Sequence, residues 1–287
     1  MARVIIFGAG NCGRLIAEKI LVHKQDKILF FVDNDSNKHG KTYWGGGKNI
    51  LLEIKSPLEI RNTDFDSVIL GTFTGLDELK AQLQEEFNIP TQKIDSSYIK
   101  QSVLARISFL EDFASICKEK NLQGEIAEVG VYRGDFAHHM NAFFPHKKLY
   151  LFDTFEGFNG LDVQKDGHMS KELGEKHFAN TSVELVLSKM PHKEQCVIKQ
   201  GWFPQSTKGL MEEKFCFVNL DADLYEPILE GLRFFYPRMV QGGVILVHEY
   251  FSQGYIGVKK AVLEFLQESN AMSLPIGDSL SIAILKR

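Results

Sequence analysis

Short apolar runs that end in glycine or in an acid, each followed by a stretch with apolar residues every three or four positions, recur along almost the whole chain. Strands that alternate with helices return to one sheet through right-handed crossovers, so this pattern restricts the fold to α/β with largely parallel sheets. The first series is "RVIIFGAG", "CGRLIAEKILVHK", "ILFFVDND", "SVILGTF" and "LDELKAQLQEEF", a small Rossmann-like unit. Its glycine-rich "KHGKTYWGGGKN" reads as a loop. Residues 100 to 121, "KQSVLARISFLEDFASICKEKN", carry apolar residues at helical spacing with Gly124 shortly after, which predicts a connecting helix. A second series follows, with strands at "EIAEVGVY", "KLYLFDTF", "QCVIKQGW", "FCFVNLDAD", "GGVILVHEY" and "SLSIAILKR". The expected architecture is two doubly wound Rossmann-like domains, residues 1–98 and 124–287, joined by a helix over 99–123.

Composition narrows the partners. The formal net charge is -4 with both signs mixed along the chain, which gives no footing for nucleic acid or an anionic membrane. No run of eighteen apolar residues occurs and the N-terminus lacks a leader pattern, so the expectation is a soluble, cytoplasmic protein. Cys12, Cys117, Cys196 and Cys216 are scattered without a C-x-x-C pair, as befits buried thiols in a reducing compartment.

In doubly wound sheets ligands bind at the carboxyl ends of the strands, so the residues there decide the chemistry. The first strand ends in "IIFGAGNCGRL", with Gly8, Gly10 and Gly13 spaced G-x-G-x-x-G and with Asp33 and Asp35 at the next strand end, which suggests a nucleotide-shaped pocket. Read alone, that fingerprint describes an NAD(P)-dependent oxidoreductase of a sugar nucleotide, the alternative reading for this chain.

The second series offers a different constellation. "EVGVYRGDFA" flanks a strand-to-helix turn with Gly130 and Gly134, and Glu128 is placed to meet a positive group such as the amino group of a methionine-derived sulfonium cofactor. Asp153, a little over twenty residues on, is positioned to accept from ribose hydroxyls. "FCFVNLDADLYEP" ends in Asp221 and Asp223, which share one side of an extended chain. "VHEY" brings His248 and Glu249 to the neighbouring strand end, completing an oxygen-rich set that suits magnesium, or manganese. Such a site answers the difficulty of methylating a hydroxyl, because a divalent ion lowers its pKa and a carboxylate can take the proton.

From about Gly124 to Lys286 the chain resembles the macrocin O-methyltransferase family (TylF/MycF type), on the stretches "EVGVYRGDFA", "LYLFDTFEGF", "NTSVE", "KQGWFP", "FVNLDADLYEP", "FFYPRMVQGGVILVHEY" and "GVKKAVLEF". The resemblance implies a class I methyltransferase fold and metal-assisted transfer from S-adenosylmethionine to a hydroxyl of a sugar or glycoconjugate, nucleotide-linked forms included. It implies cofactor contacts at Glu128, Gly130, Tyr132, Arg133, Gly134, Asp153, Thr154, Gly201, Trp202 and Asp221. It implies a metal held by Asp221 with His248 and Glu249, and Asp223 as general base beside Asp221. His248-Glu249 stands where many members carry Asp-Asp, a departure that bears on the ion. The N-terminal unit is similar to small Rossmann-like domains fused to bacterial sugar-modifying enzymes, which implies a recognition module for a nucleotide-linked sugar. The polar stretch from Asn159 to Met190 reads either as a substrate lid or as a tolerated surface loop, and as a lid it suits, with the connecting helix, a homodimer.

Overall fold

The computed structural model describes residues 1–23, 26–47, 50–73, 75–158, 160–166, 178–252 and 254–287. The chain divides into two units, Met1–Ser102 and Val103–Arg287.

The first unit contains β1 (Arg3–Phe7), α1 (Asn11–His23), β2 (Lys27–Val32), β3 (Thr42–Gly45), β4 (Ile50–Lys55), β5 (Ser67–Leu70), α2 (Leu76–Glu85) and β6 (Ile94–Asp95). Their order in the sheet is β3-β4-β2-β1-β5-β6. Val4 to Phe7 are all buried, as a central strand covered on both faces requires. A Cβ on Gly13 would stand 1.9 Å from the Gly8 carbonyl oxygen, so only glycine lets α1 start this close to the turn. The expected loop over 38–49 is in part a strand: β3 pairs antiparallel with β4, Tyr43 opposite Leu52 and Trp44 opposite Leu51. Thr42, Tyr43 and Trp44 are β-forming residues, and their strand preference prevails over the glycines that follow them.

In the second unit α3 (Ser97–Glu119), whose start lies in the first, is followed by β7 (Glu125–Val129), α4 (Asp135–Phe143), β8 (Leu149–Asp153), α5 (Gly160–Lys165), α6 (Val183–Lys189) and β9 (Cys196–Gln200). Then come β10 (Phe215–Leu220), α7 (Tyr225–Phe235), β11 (Met239–Val247), α8 (Ile256–Glu268), β12 (Met272–Pro275) and β13 (Ile282–Leu285). The sheet runs β12-β13-β11-β10-β7-β8-β9, with β13 antiparallel to both its neighbours. On one face Leu229, Leu232 and Phe235 of α7 and Val258, Val262 and Phe265 of α8 pack on Val129, Val218 and Val247. On the other, Leu110, Phe113 and Cys117 of α3 pack with Met140 and Val186 on Ile126, Phe217 and Leu246. The strands read as continuous apolar runs because both faces are covered.

Among the described residues no helix is long and apolar enough to cross a membrane. The centre of the expected lid, residues 167–177, lies outside the described residues.

Candidate functional site

The carboxyl ends of β7, β8, β9, β10 and β11 carry the second unit's sequence-derived candidates, and the first two of them build a turn. After β7, Gly130, Tyr132 and Gly134 all take positive φ, and Gly134 caps α4. The Asp153 carboxylate closes this turn: Oδ2 accepts the Val131 and Tyr132 N–H groups at 2.7 and 2.8 Å, and Oδ1 accepts that of Phe155 at 2.8 Å. Thr154 donates its hydroxyl to the Gly157 carbonyl at 2.6 Å. The Gly201 N–H reaches the Asp153 carbonyl at 2.9 Å, and Trp202 Nε1 donates to Asp162 Oδ2 at 2.7 Å. Arg133 is exposed, outside this cluster of contacts.

The turn and the acid-bearing loop touch backbone to backbone. A Cβ on Gly130 would lie 2.2 Å from the Asp221 carbonyl oxygen, and the Asp221 N–H bonds the Val129 carbonyl at 2.8 Å. Asp223 and Glu249 are buried and hold positive φ. Burial, then the charges of Asp221 and Glu249, push the Asp223 carboxyl well above its ordinary value. Burial raises Glu249 as well, against the opposing effect of His248. Burial also works on Asp221, but His248 and Arg106 outweigh it and hold that carboxyl low. Asp221, Asp223, His248 and Glu249 thus lie near enough for their charges to act on one another.

Arg106, Asn219 and Glu128 extend the group inward. Arg106 Nη2 donates to Asp221 Oδ2 at 2.9 Å and to Asn219 Oδ1 at 2.9 Å, and Asn219 Nδ2 donates to Glu128 Oε1 at 2.8 Å. Glu128 is 1% exposed, and burial followed by the charge of Asp221 pushes its carboxyl up to about 8. Its Oε2 is buried without a hydrogen-bond partner. Arg106 and Asn219 escaped the sequence reading, although an arginine among the apolar positions of a helix and an asparagine inside "FCFVNL" are signals of a buried polar network.

For a divalent cation the donor chemistry fits: carboxylates and an imidazole whose Nδ1 sits 2.9 Å from Ser281 Oγ, which in turn donates to Asp278. Metal-ligating histidines are oriented through the second ring nitrogen in this way. His248 Nε2 lies 3.6 Å from Glu249 Oε1. Among the described residues, no three His, Cys, Asp or Glu side chains are already gathered round one point.

In the first unit a cavity of about 410 Å³ is lined by Gly8, Gly10, Asp33, Lys38, Gly71 and Thr72, among others. Asp33 Oδ2 accepts the Ala9 N–H at 2.9 Å and Lys38 Nζ at 3.0 Å, and its Oδ1 accepts the Asp35 N–H at 2.9 Å. Asp35 is exposed and caps the turn at Asn37 through its side chain. A Cβ on Gly10 would meet nothing within 4 Å.

Sheet order and strand-end turn define a class I methyltransferase fold for the second unit. The macrocin-O-methyltransferase (TylF) family model matches residues 101–279, more than half of the chain, and the chain belongs to that family. Residues 1–95 match a model described as C2185-like, N-terminal. A tetracenomycin-C rhamnosyl 4'-O-methyltransferase from Streptomyces olivaceus is 24% identical over 51% of this chain and 60% of its own length. The mycinamicin III 3''-O-methyltransferase of Micromonospora griseorubida is 23% identical over 51% of this chain and 63% of its own. The chain thus spans about three fifths of the curated relatives it matches. The solved O-methyltransferase NovP shares the fold, with a TM-score of 0.53, 21% identity, and coverage of 63% of this chain and 79% of that one. The oxidoreductase alternative finds no support in these comparisons.

Proposed function

We propose that the second unit transfers a methyl group from S-adenosylmethionine to a hydroxyl of a sugar or glycoconjugate. The observation that carries this reading is the direct backbone contact between the Gly130 turn and the Asp221 loop, which puts a cofactor-type turn against an acid cluster. The name of the first relative places a rhamnosyl group on its substrate, the second is by its name an O-methyltransferase of mycinamicin III, and the family match gives O-methyl transfer.

Glu128 Oε2, buried and without a partner, is the acceptor for the cofactor's ammonium group. The Gly130 to Gly134 turn, Asp153 and the Gly201-Trp202 segment form the rest of the cofactor seat. Asp223, buried beside Asp221 and Glu249 at the end of β10, is the carboxylate assigned as general base. Asp221, His248 and Glu249 are the residues that would hold a divalent cation, which supplies Lewis acidity that lowers the pKa of a bound hydroxyl. In the first unit, Gly10 is a glycine that neither its φ nor its packing requires. Close approach of a ligand to the backbone accounts for it, and we assign the cavity to a nucleotide.

The test is a methyl-transfer assay over a panel of nucleotide sugars with and without magnesium, paired with calorimetry of S-adenosylhomocysteine. Saturable binding and turnover are expected, with turnover lost in Asp221→Ala and Asp223→Ala while the melting transition persists. A folded protein that binds neither S-adenosylmethionine nor its demethylated product refutes the reading.

A further inference from the structure

We propose that Arg106 is a positioning residue of the transfer site, fixing the carboxylate of Asp221 directly and that of Glu128 through the Asn219 amide. The proposal rests on the methyltransferase reading above and assigns a role to a side chain outside the turn and the acid cluster.

One nitrogen makes both bonds. Nη2 of Arg106 lies 2.9 Å from Asn219 Oδ1 and 2.9 Å from Asp221 Oδ2. The guanidinium stands over the Phe136 ring, 4.1 Å from its centroid, which sets its plane. Asn219 is fully buried, so its amide has no water to turn to. With its oxygen held by a cation, the amide can offer only N–H to the other side, and Glu128 Oε1 takes that bond at 2.8 Å. Glu128 is thereby held with Oε2 left over. A carboxylate already served on one oxygen and unpaired on the other matches an incoming ammonium group, the class of ligand the cofactor presents. Without the guanidinium, the amide can rotate its oxygen toward Glu128, and the acceptor loses its orientation.

The arrangement is not what stability alone asks for. Leu110, Phe113 and Cys117 hold α3 on the sheet whatever stands at position 106. Arg106 Nε is buried without a partner, an unmet donor that an apolar side chain would not incur. Replacement of a buried ion pair by apolar groups is often tolerated, but loss of one partner alone is costly, which sets the design of the test.

Full-length protein is titrated calorimetrically with S-adenosylhomocysteine, and melting curves monitor folding. Arg106→Met and Asn219→Ala are each expected to weaken binding about tenfold. The double variant should lose no more than about threefold beyond the weaker single one, because both substitutions break one chain of contacts. Arg106→Lys, which keeps the charge on a shorter stem, should recover part or all of the loss, and Asn219→Ala provides the measurement if Arg106→Met does not fold. Binding within twofold of wild type in folded Arg106→Met or folded Asn219→Ala overturns the proposal, as do losses that multiply toward a hundredfold in the double variant, or an Arg106→Lys protein that binds no better than Arg106→Met. If the wild-type protein itself fails to bind S-adenosylhomocysteine, the methyltransferase reading falls and the positioning role falls with it.

Discussion

Replacing Glu128 with glutamine turns a buried acid into a neutral group of the same shape, and the consequence can be counted in protons. With its carboxyl pushed up to about 8, Glu128 is only about one tenth ionised at pH 7 in the free protein. If its Oε2 receives the cofactor's ammonium group as a carboxylate, binding at pH 7 must expel roughly 0.9 proton from this site, falling to roughly 0.1 at pH 9. The same linkage raises the affinity by about tenfold between those pH values, before the ligand's own amino group is considered. The assay is titration with S-adenosylhomocysteine at pH 7 in buffers of low and high ionisation enthalpy, since the buffer that takes up the proton adds its own heat. Glu128→Gln removes the protein's share of the proton release while leaving the ligand's share. No buffer dependence in the wild type, or the same dependence in Glu128→Gln, refutes the assignment. The raised pKa also favours the folded state below the ordinary carboxylate range, a contribution lost as pH rises through about 8. The glutamine variant should therefore show a flatter stability profile over that window.

Gly130→Ala places a Cβ 2.2 Å from the Asp221 carbonyl at a left-handed φ, so a loss of about 2–5 kcal/mol is expected from strain and forced backbone movement together. Denaturant titration read by Trp202 fluorescence checks it, and a loss below about 1 kcal/mol would contradict the close contact. Asp153→Ala leaves the N–H groups of Val131, Tyr132 and Phe155 without their shared acceptor and should cost about 2–4 kcal/mol together with cofactor affinity, with Asp153→Asn between. Asp33→Ala should lower the midpoint reported by Trp44, in the first unit, and leave the Trp202 transition in place.

The alternation of strands and helices, the strand-end glycines and the paired acids were legible because each follows from local periodicity or from a short motif. The strand ends that carry Asp221, Asp223, His248 and Glu249 lie side by side because β10 and β11 are neighbours in register, Leu220 opposite Val247, and the sequence carries both strand ends explicitly. Missed strands have physical reasons. β6 is two residues long, and β12 carries Pro275 and exposes Leu274, so neither shows a buried-strand pattern. Arg106 was hidden by distance: its partners lie 113 and 115 residues away, and only the packing of α3 on the sheet brings them together. Asp153 also gathers three backbone amides, a structural role that depends on φ angles which spacing does not reveal.

Asp33 carries a lesson about how fingerprints persist. Its carboxylate staples the glycine turn to the second strand through the Ala9 amide, and Lys38 neutralises it from the loop that follows. A lineage could change the occupant of the neighbouring cavity and still be unable to discard the acid, because the turn would come loose. The G-x-G-x-x-G pattern with its downstream aspartate can thus be inherited as carpentry, independent of the molecule it once described.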